Sequence, residues 1–137
     1  MSDRLYGACL CGQFSWSAEG APEFQGYCHC DHCRRMSGSG RTPFLGFSAD
    51  RVRLEGQTTS YADIAANGGS IARHFCPTCG SRAYSVPGSA PDIRIFYAGS
   101  LGAPDRFTPS LAIHSASAVA WDPVEPGLAD FPGAAPG

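Results

Sequence analysis

The sequence predicts a mainly β domain stapled by metal, and three observations predict it. No stretch of eleven or more residues repeats its apolar positions with a helical period. Short extended segments alternate instead with turn residues, among 17 Gly and 11 Pro in 137 residues. Two cysteine pairs, Cys9/Cys11 and Cys76/Cys79, stand far apart in the chain with zinc-type spacing.

The elements follow in order. Residues 13–19 alternate, with Phe14, Trp16 and Ala18 on one face of a strand. After Cys30 one or two helical turns are expected, through Arg34 and Met36. Residues 42–47 are apolar and aromatic, and 52–54 form a short strand. Asn67-Gly68-Gly69 marks a turn between strands at 58–61 and 71–75. Residues 81–86 follow the last cysteine pair, and 92–98 are rich in β-formers (Ile93, Ile95, Phe96, Tyr97). Trp16, Trp121 and the Phe44 to Phe47 segment read as core. One domain over residues 1–123 is expected, followed by an irregular tail over 124–137 containing Pro123, Pro126, Pro132 and Pro136. Leu128 and Phe131 are expected to pin that tail, with disorder near Gly137.

Charge and composition exclude several classes. The net charge is −2 with no basic tract, which argues against nucleic acid and anionic membranes as partners. No run of about 18 apolar residues exists to span a bilayer. The first residues lack the apolar stretch of a signal peptide, so a cytoplasmic protein with reduced thiols is expected. Seven cysteines are an odd number, so a disulfide framework would leave one unpaired.

The cysteines divide into four and three. Cys9, Cys11, Cys76 and Cys79 supply four thiolates, enough to close a tetrahedral zinc shell and tie an early hairpin to a late one. Cys28, Cys30 and Cys33 supply three, leaving one position open, as in catalytic zinc sites. Two alternatives stand beside the open site. One is a redox Cys-x-x-Cys pair at Cys30 and Cys33, for which no βαβ context exists. The other is a closed Cys₃His shell, with His114 as the fourth ligand.

These motifs resemble the glutathione-dependent formaldehyde-activating enzyme family, the CENP-V/GFA domain. The resemblance runs from about Gly7 to Pro123 through four ordered blocks. They are Gly7-Ala8-Cys9-Leu10-Cys11-Gly12, the stretch from Tyr27 to Ser39, the stretch from Arg73 to Ser81, and Pro109, His114 and Trp121-Asp122. It implies a β-tent fold of mostly antiparallel sheets. It implies a structural zinc at Cys9, Cys11, Cys76 and Cys79 and a catalytic zinc at Cys28, Cys30 and Cys33, two Zn²⁺ per chain. It also implies carbon–sulfur lyase chemistry, the addition of glutathione to formaldehyde or the reverse.

Three cysteinates around zinc make an electron-rich shell that favours a bound thiolate nucleophile. His29, Asp31, His32 and His114 are the candidate proton carriers, and Arg34 and Arg35 the candidate groups for a carboxylate of a small-molecule thiol. The alternative function is a non-enzymatic zinc-binding interaction or chaperone-like module, since a fold alone does not fix an activity.

Overall fold

The structure is a computed structural model that describes residues 3–135. Among the described residues the chain forms two sheets, one short α-helix and four single-turn 3-10 helices. The smaller sheet is antiparallel, in the order β1 (Leu5–Ala8), β2 (Ser15–Ala18) and β5 (Val52–Glu55). The larger has eight strands. They are β3 (Phe24–Cys28), β4 (Thr42–Ser48), β6 (Thr59–Ile64), β7 (Ser70–Phe75), β8 (Arg82–Pro87), β9 (Ile93–Tyr97), β10 (Leu111–Ile113) and β11 (Ala129–Asp130). Their spatial order is β11-β10-β3-β4-β9-β8-β7-β6. The helix α1 (Asp31–Ser37) follows Cys30, and Gly38 ends it in the left-handed conformation.

The mainly β expectation holds, but the large sheet is mixed rather than antiparallel throughout. β10 runs parallel to β3 and to β11. The long connection after β9 brings β10 in beside β3 from the same end, which a hairpin cannot do. β11 comes from the proline-rich tail. Ala129 N donates to Ser110 O and Phe131 N to Ala112 O, so this short proline-free stretch extends the sheet. Pro136 and Gly137, where disorder is expected, lie outside the described residues, as do Met1 and Ser2.

Strand alternation divides the large sheet into two faces. On one, Leu45, Phe47 and Phe96 join Leu5, Trp16 and Ala18 of the small sheet, and Phe14 just before β2, to form the main core. Trp16 stacks on Phe96 with ring centroids 4.0 Å apart and donates its indole N–H to Ser100 Oγ. On the opposite face, Phe44 and Tyr97 cluster with Cys28, Cys30, Phe24, Ile95, Leu111 and Ile113. The 42–47 segment is therefore split. Leu45 and Phe47 are core, but Phe44 belongs to a cavity wall. Trp121 corrects the sequence reading outright: it is 70 % exposed. It sits in a turn beyond β10, away from both clusters, with no sheet face to cover it.

Candidate functional site

The four-cysteine cluster is built from two loops of matching design. Cys9 N donates to Phe14 O and Cys76 N to Ser81 O, each five residues on. Gly12 N returns to Cys9 O and Gly80 N to Cys76 O, with φ of +83° and +78° at the two glycines. That left-handed turn explains the glycine after each pair. The Cys9–Cys11 and Cys11–Cys76 sulfurs lie 3.6 and 3.7 Å apart. A tetrahedral ion with bonds of about 2.3 Å sets its sulfurs about 3.8 Å apart, so the cage has the right size. Donors surround it. Phe14 N points to Cys9 Sγ, and Thr78 N and Cys79 N to Cys76 Sγ, all at 3.4 Å; Gln13 Nε2 reaches Cys76 Sγ at 3.0 Å. The Ser81 hydroxyl and amide hold the Cys79 thiol down to about 5. These donors favour thiolates, the form that binds a cation. Because one loop links β1 to β2 and the other β7 to β8, the cluster joins the two sheets.

The second cluster sits where β3 runs into α1. Cys28 ends the strand, Cys30 caps the helix, and Cys33 lies in its first turn. Cys33 N donates to Cys30 Sγ at 3.3 Å, so the cap itself gathers two of the sulfurs. All three ligand atoms lie within 4.8 Å of one another. Hydrogen bonds from the Cys28 and Cys33 thiols hold Cys30 down to about 2, while the Cys30 and Cys33 contacts push Cys28 far up. Only a cation would let all three ionise, and the donor set fits one. No fourth His, Cys, Asp or Glu joins this group among the described residues.

Beside these sulfurs lies a cavity of about 460 Å³. Its walls are largely apolar, drawn from β3, β4, β7, β8, β9 and β10 by the alternation described above. Among the described residues, Arg73 is the one permanently charged side chain lining it. Arg73 is 4 % exposed and donates from Nε to Asp63 Oδ2 at 3.0 Å. The same oxygen meets His32 Nδ1 at 2.8 Å, which raises the His32 pKa and lowers that of Asp63. Ser85 and Tyr97 hydrogen-bond to each other through their hydroxyls, and the Arg82 guanidinium lies 3.7 Å over the Tyr97 ring. Arg82 Nη1 donates to Thr42 Oγ1, which in turn donates to Cys33 O.

The sequence candidates scatter around this cavity. His114 lines it, at the end of β10, with φ of +52°. It is the one non-glycine residue with positive φ among those described, a strained setting that often marks a functional position. His32 stands behind the wall and reaches Arg73 only through Asp63. His29 is wholly buried and does not line the cavity, with neither ring nitrogen hydrogen-bonded; burial holds its pKa low. The Asp31 side chain is 57 % exposed, its carboxylate 4.0 Å from His32 Nε2. Arg34 and Arg35 lie on α1 and do not line the cavity. Sequence reasoning missed Arg73, Asp63, Ser85 and Tyr97. For Arg73 a signal existed: it shares the inward row of β7 with Ile71 and Phe75, where a charge is out of place.

No curated protein matches the chain. Among solved structures, a crystal structure of a Rhodobacter sphaeroides protein matches with a TM-score of 0.58, covering 92 % of this chain and 98 % of that one. At 19 % identity the likeness concerns the fold alone. Residues 4–117 match the family model of the glutathione-dependent formaldehyde-activating enzyme, and with so much of its length matched the chain belongs to that family.

Proposed function

We propose that this protein is a zinc-dependent carbon–sulfur lyase-like enzyme. It joins a small thiol to a carbonyl compound, or runs the reverse cleavage. Glutathione and formaldehyde are the pair the family suggests. The observation that carries the reading is the contrast in ligand count: four cysteines can close a tetrahedral shell, whereas the three-cysteine cluster leaves a position open and lines a cavity. Cys9, Cys11, Cys76 and Cys79 would hold a structural zinc in a β-tent scaffold, and Cys28, Cys30 and Cys33 a catalytic one. A zinc bound there supplies a coordination position at which a thiol ionises near neutral pH.

The chain's own residues do the rest. Cys33 N and the Thr42–Cys33 hydrogen bond fix the ligand loop. The apolar walls line the approach to the reacting carbon. Arg73, oriented by Asp63 and His32, faces the position where negative charge grows on the carbonyl oxygen. His114 delivers a proton to that oxygen, or removes it in the reverse direction. The reaction forms one C–S bond, moves the carbonyl π pair to oxygen and adds one proton, with no change of oxidation state. His29 and Asp31 have no assigned contact with reacting atoms. Arg34 and Arg35, outside the cavity, would meet carboxylates of a peptide thiol that project from it. The seven unbridged cysteines fit a reducing compartment such as the cytoplasm.

Titration of cobalt-substituted protein with glutathione tests the reading. The expected result is a shifted metal–thiolate absorption that Cys30→Ala abolishes. Were millimolar thiol to leave the spectrum unchanged, thiol addition would be the wrong chemistry, and a non-enzymatic zinc module would take its place.

A further inference from the structure

We propose that the carbonyl substrate carries a hydrophobic body, an aromatic or branched aliphatic aldehyde, seated against Phe24, Phe44, Ile71, Ile95, Leu111 and Ile113. The proposal rests on the thiol-addition reading above and names the electrophile that reading leaves open.

Size comes first. A cavity of about 460 Å³ falls within the roughly 300–1,000 Å³ of pockets that hold an organic ligand. A one-carbon aldehyde would fill a small corner and leave the apolar wall wet. An apolar wall of this extent with a few convergent polar groups is the usual form of a site for an organic ligand.

The polar groups point the same way, because most are already engaged. Thr42 is held between Arg82 and Cys33, and Ser85 is paired with Tyr97. Arg73 already gives its Nε–H to Asp63, which leaves only the guanidinium end for a substrate oxygen. A body with two carboxylates and an ammonium would find no second cation and no acid among the described lining residues. A body without charge needs neither, and burying it against the wall is favourable. The wall is also shaped. Gly46 lacks a side chain where the Phe24 ring lies across its strand, so the ring forms a flat floor. With the aldehyde carbon toward the cysteine sulfurs and its oxygen toward Arg73, the remainder of the molecule meets these six side chains. The bond changes are those of simple addition. The thiolate pair becomes the C–S bond, the π pair moves to oxygen, and oxygen takes a proton to give a hemithioacetal.

The test is calorimetric titration of the zinc-loaded protein with formaldehyde, propanal, 3-methylbutanal and benzaldehyde, with no thiol present. The chain has no lysine, so among primary amines only the N-terminal one can form an imine in the background. Affinity should rise about three- to four-fold for each buried methylene, the equivalent of ~0.8 kcal/mol. Equal affinity across the series, or tightest binding of formaldehyde, would overturn the proposal. A second variant locates the site. Ala66 lies on the exposed turn between β6 and β7 and lines the cavity. Ala66→Trp should weaken benzaldehyde at least ten-fold and leave formaldehyde unchanged. Benzaldehyde binding unaffected by that variant would place the hydrophobic body elsewhere and also overturn it. Because no thiol is added, the aldehyde series stands or falls separately from the cobalt titration: a failed thiol titration with a normal aldehyde series would sink the chemistry and not the pocket.

Discussion

The two cysteine clusters use the same ligand atom and differ in what surrounds it. At the four-cysteine cluster, two loops of matching hydrogen-bond pattern close on each other and draw the sheets together. Backbone amides, Gln13 and Ser81 supply the thiolates with donors. At the three-cysteine cluster, one strand end and one helix cap supply every sulfur within six residues. Nothing distant in the chain is tied down by it, and its free side faces a cavity. A cluster that spans the fold should carry stability, and a local one should carry chemistry.

The largest expected effect is therefore at Cys76. This residue is fully buried and accepts three of the donors described. Cys76→Ser should cost several kcal/mol, since coordination at such a site is part of the folding free energy. Chemical denaturation with metal analysis checks it. An unchanged midpoint with two zincs retained would mean the cluster does not hold the sheets together.

Next is Asp63, which supports the proposed chemical site from behind. Asp63→Asn should cost about 2 kcal/mol, because one carboxylate oxygen serves both His32 and the buried Arg73. The pH dependence follows from the two shifts. Asp63 has a lowered pKa, so its contribution is present above the usual carboxylate range and is lost as pH falls below it. His32 has a raised pKa, so its contribution is present below the usual histidine value and is lost as pH rises through the raised one. The wild-type advantage over Asp63→Asn should thus be larger at pH 5.5 than at pH 8.5, where only the Arg73 bond remains. Urea unfolding of both proteins at the two values measures it, and an advantage that grows with pH would contradict the assignment.

At the second cluster the fold should barely respond. Cys30→Ala removes a helix cap and a proposed ligand, for a loss of about 1 kcal/mol. Zinc content should fall from two to one per chain while the circular dichroism spectrum persists. Loss of both ions together, with unfolding, would make the two clusters alike and end the distinction.

Much of this contrast was legible in the sequence. Cysteine spacing identified both clusters, the alternation of Phe14, Trp16 and Ala18 gave the buried face of β2, and Asn67-Gly68-Gly69 marked the β6–β7 turn. What was not legible depends on distant pairing. Arg73 and Asp63 are ten residues apart on adjacent antiparallel strands, and only the register brings them together behind His32. β10 pairs with β3 in parallel after an 82-residue gap, which no local pattern announces. Trp121 read as core because large aromatics usually are, yet no sheet face reaches it. Arg34 and Arg35 drew attention by standing next to Cys33 in sequence, but a helix turns adjacent residues in different directions.

The smallest expected effect on stability is at His114, where the comparison can be broken most cleanly. A left-handed backbone costs a side chain about 1–2 kcal/mol. Glycine relieves that cost but adds about 0.5–1 kcal/mol of chain entropy. His114→Gly should therefore shift stability by less than about 1 kcal/mol, and His114→Ala, which keeps the strain, should be the less stable of the two. Both should retain two zincs. Both should slow thiol addition about 10²-fold or more, the usual worth of a positioned proton carrier. A full rate in either variant would remove His114 from the chemistry. Loss of the zinc at Cys28, Cys30 and Cys33 would say something different: the histidine would then be a fourth ligand, the second cluster would be closed like the first, and the cavity beside it would hold no open metal position to serve.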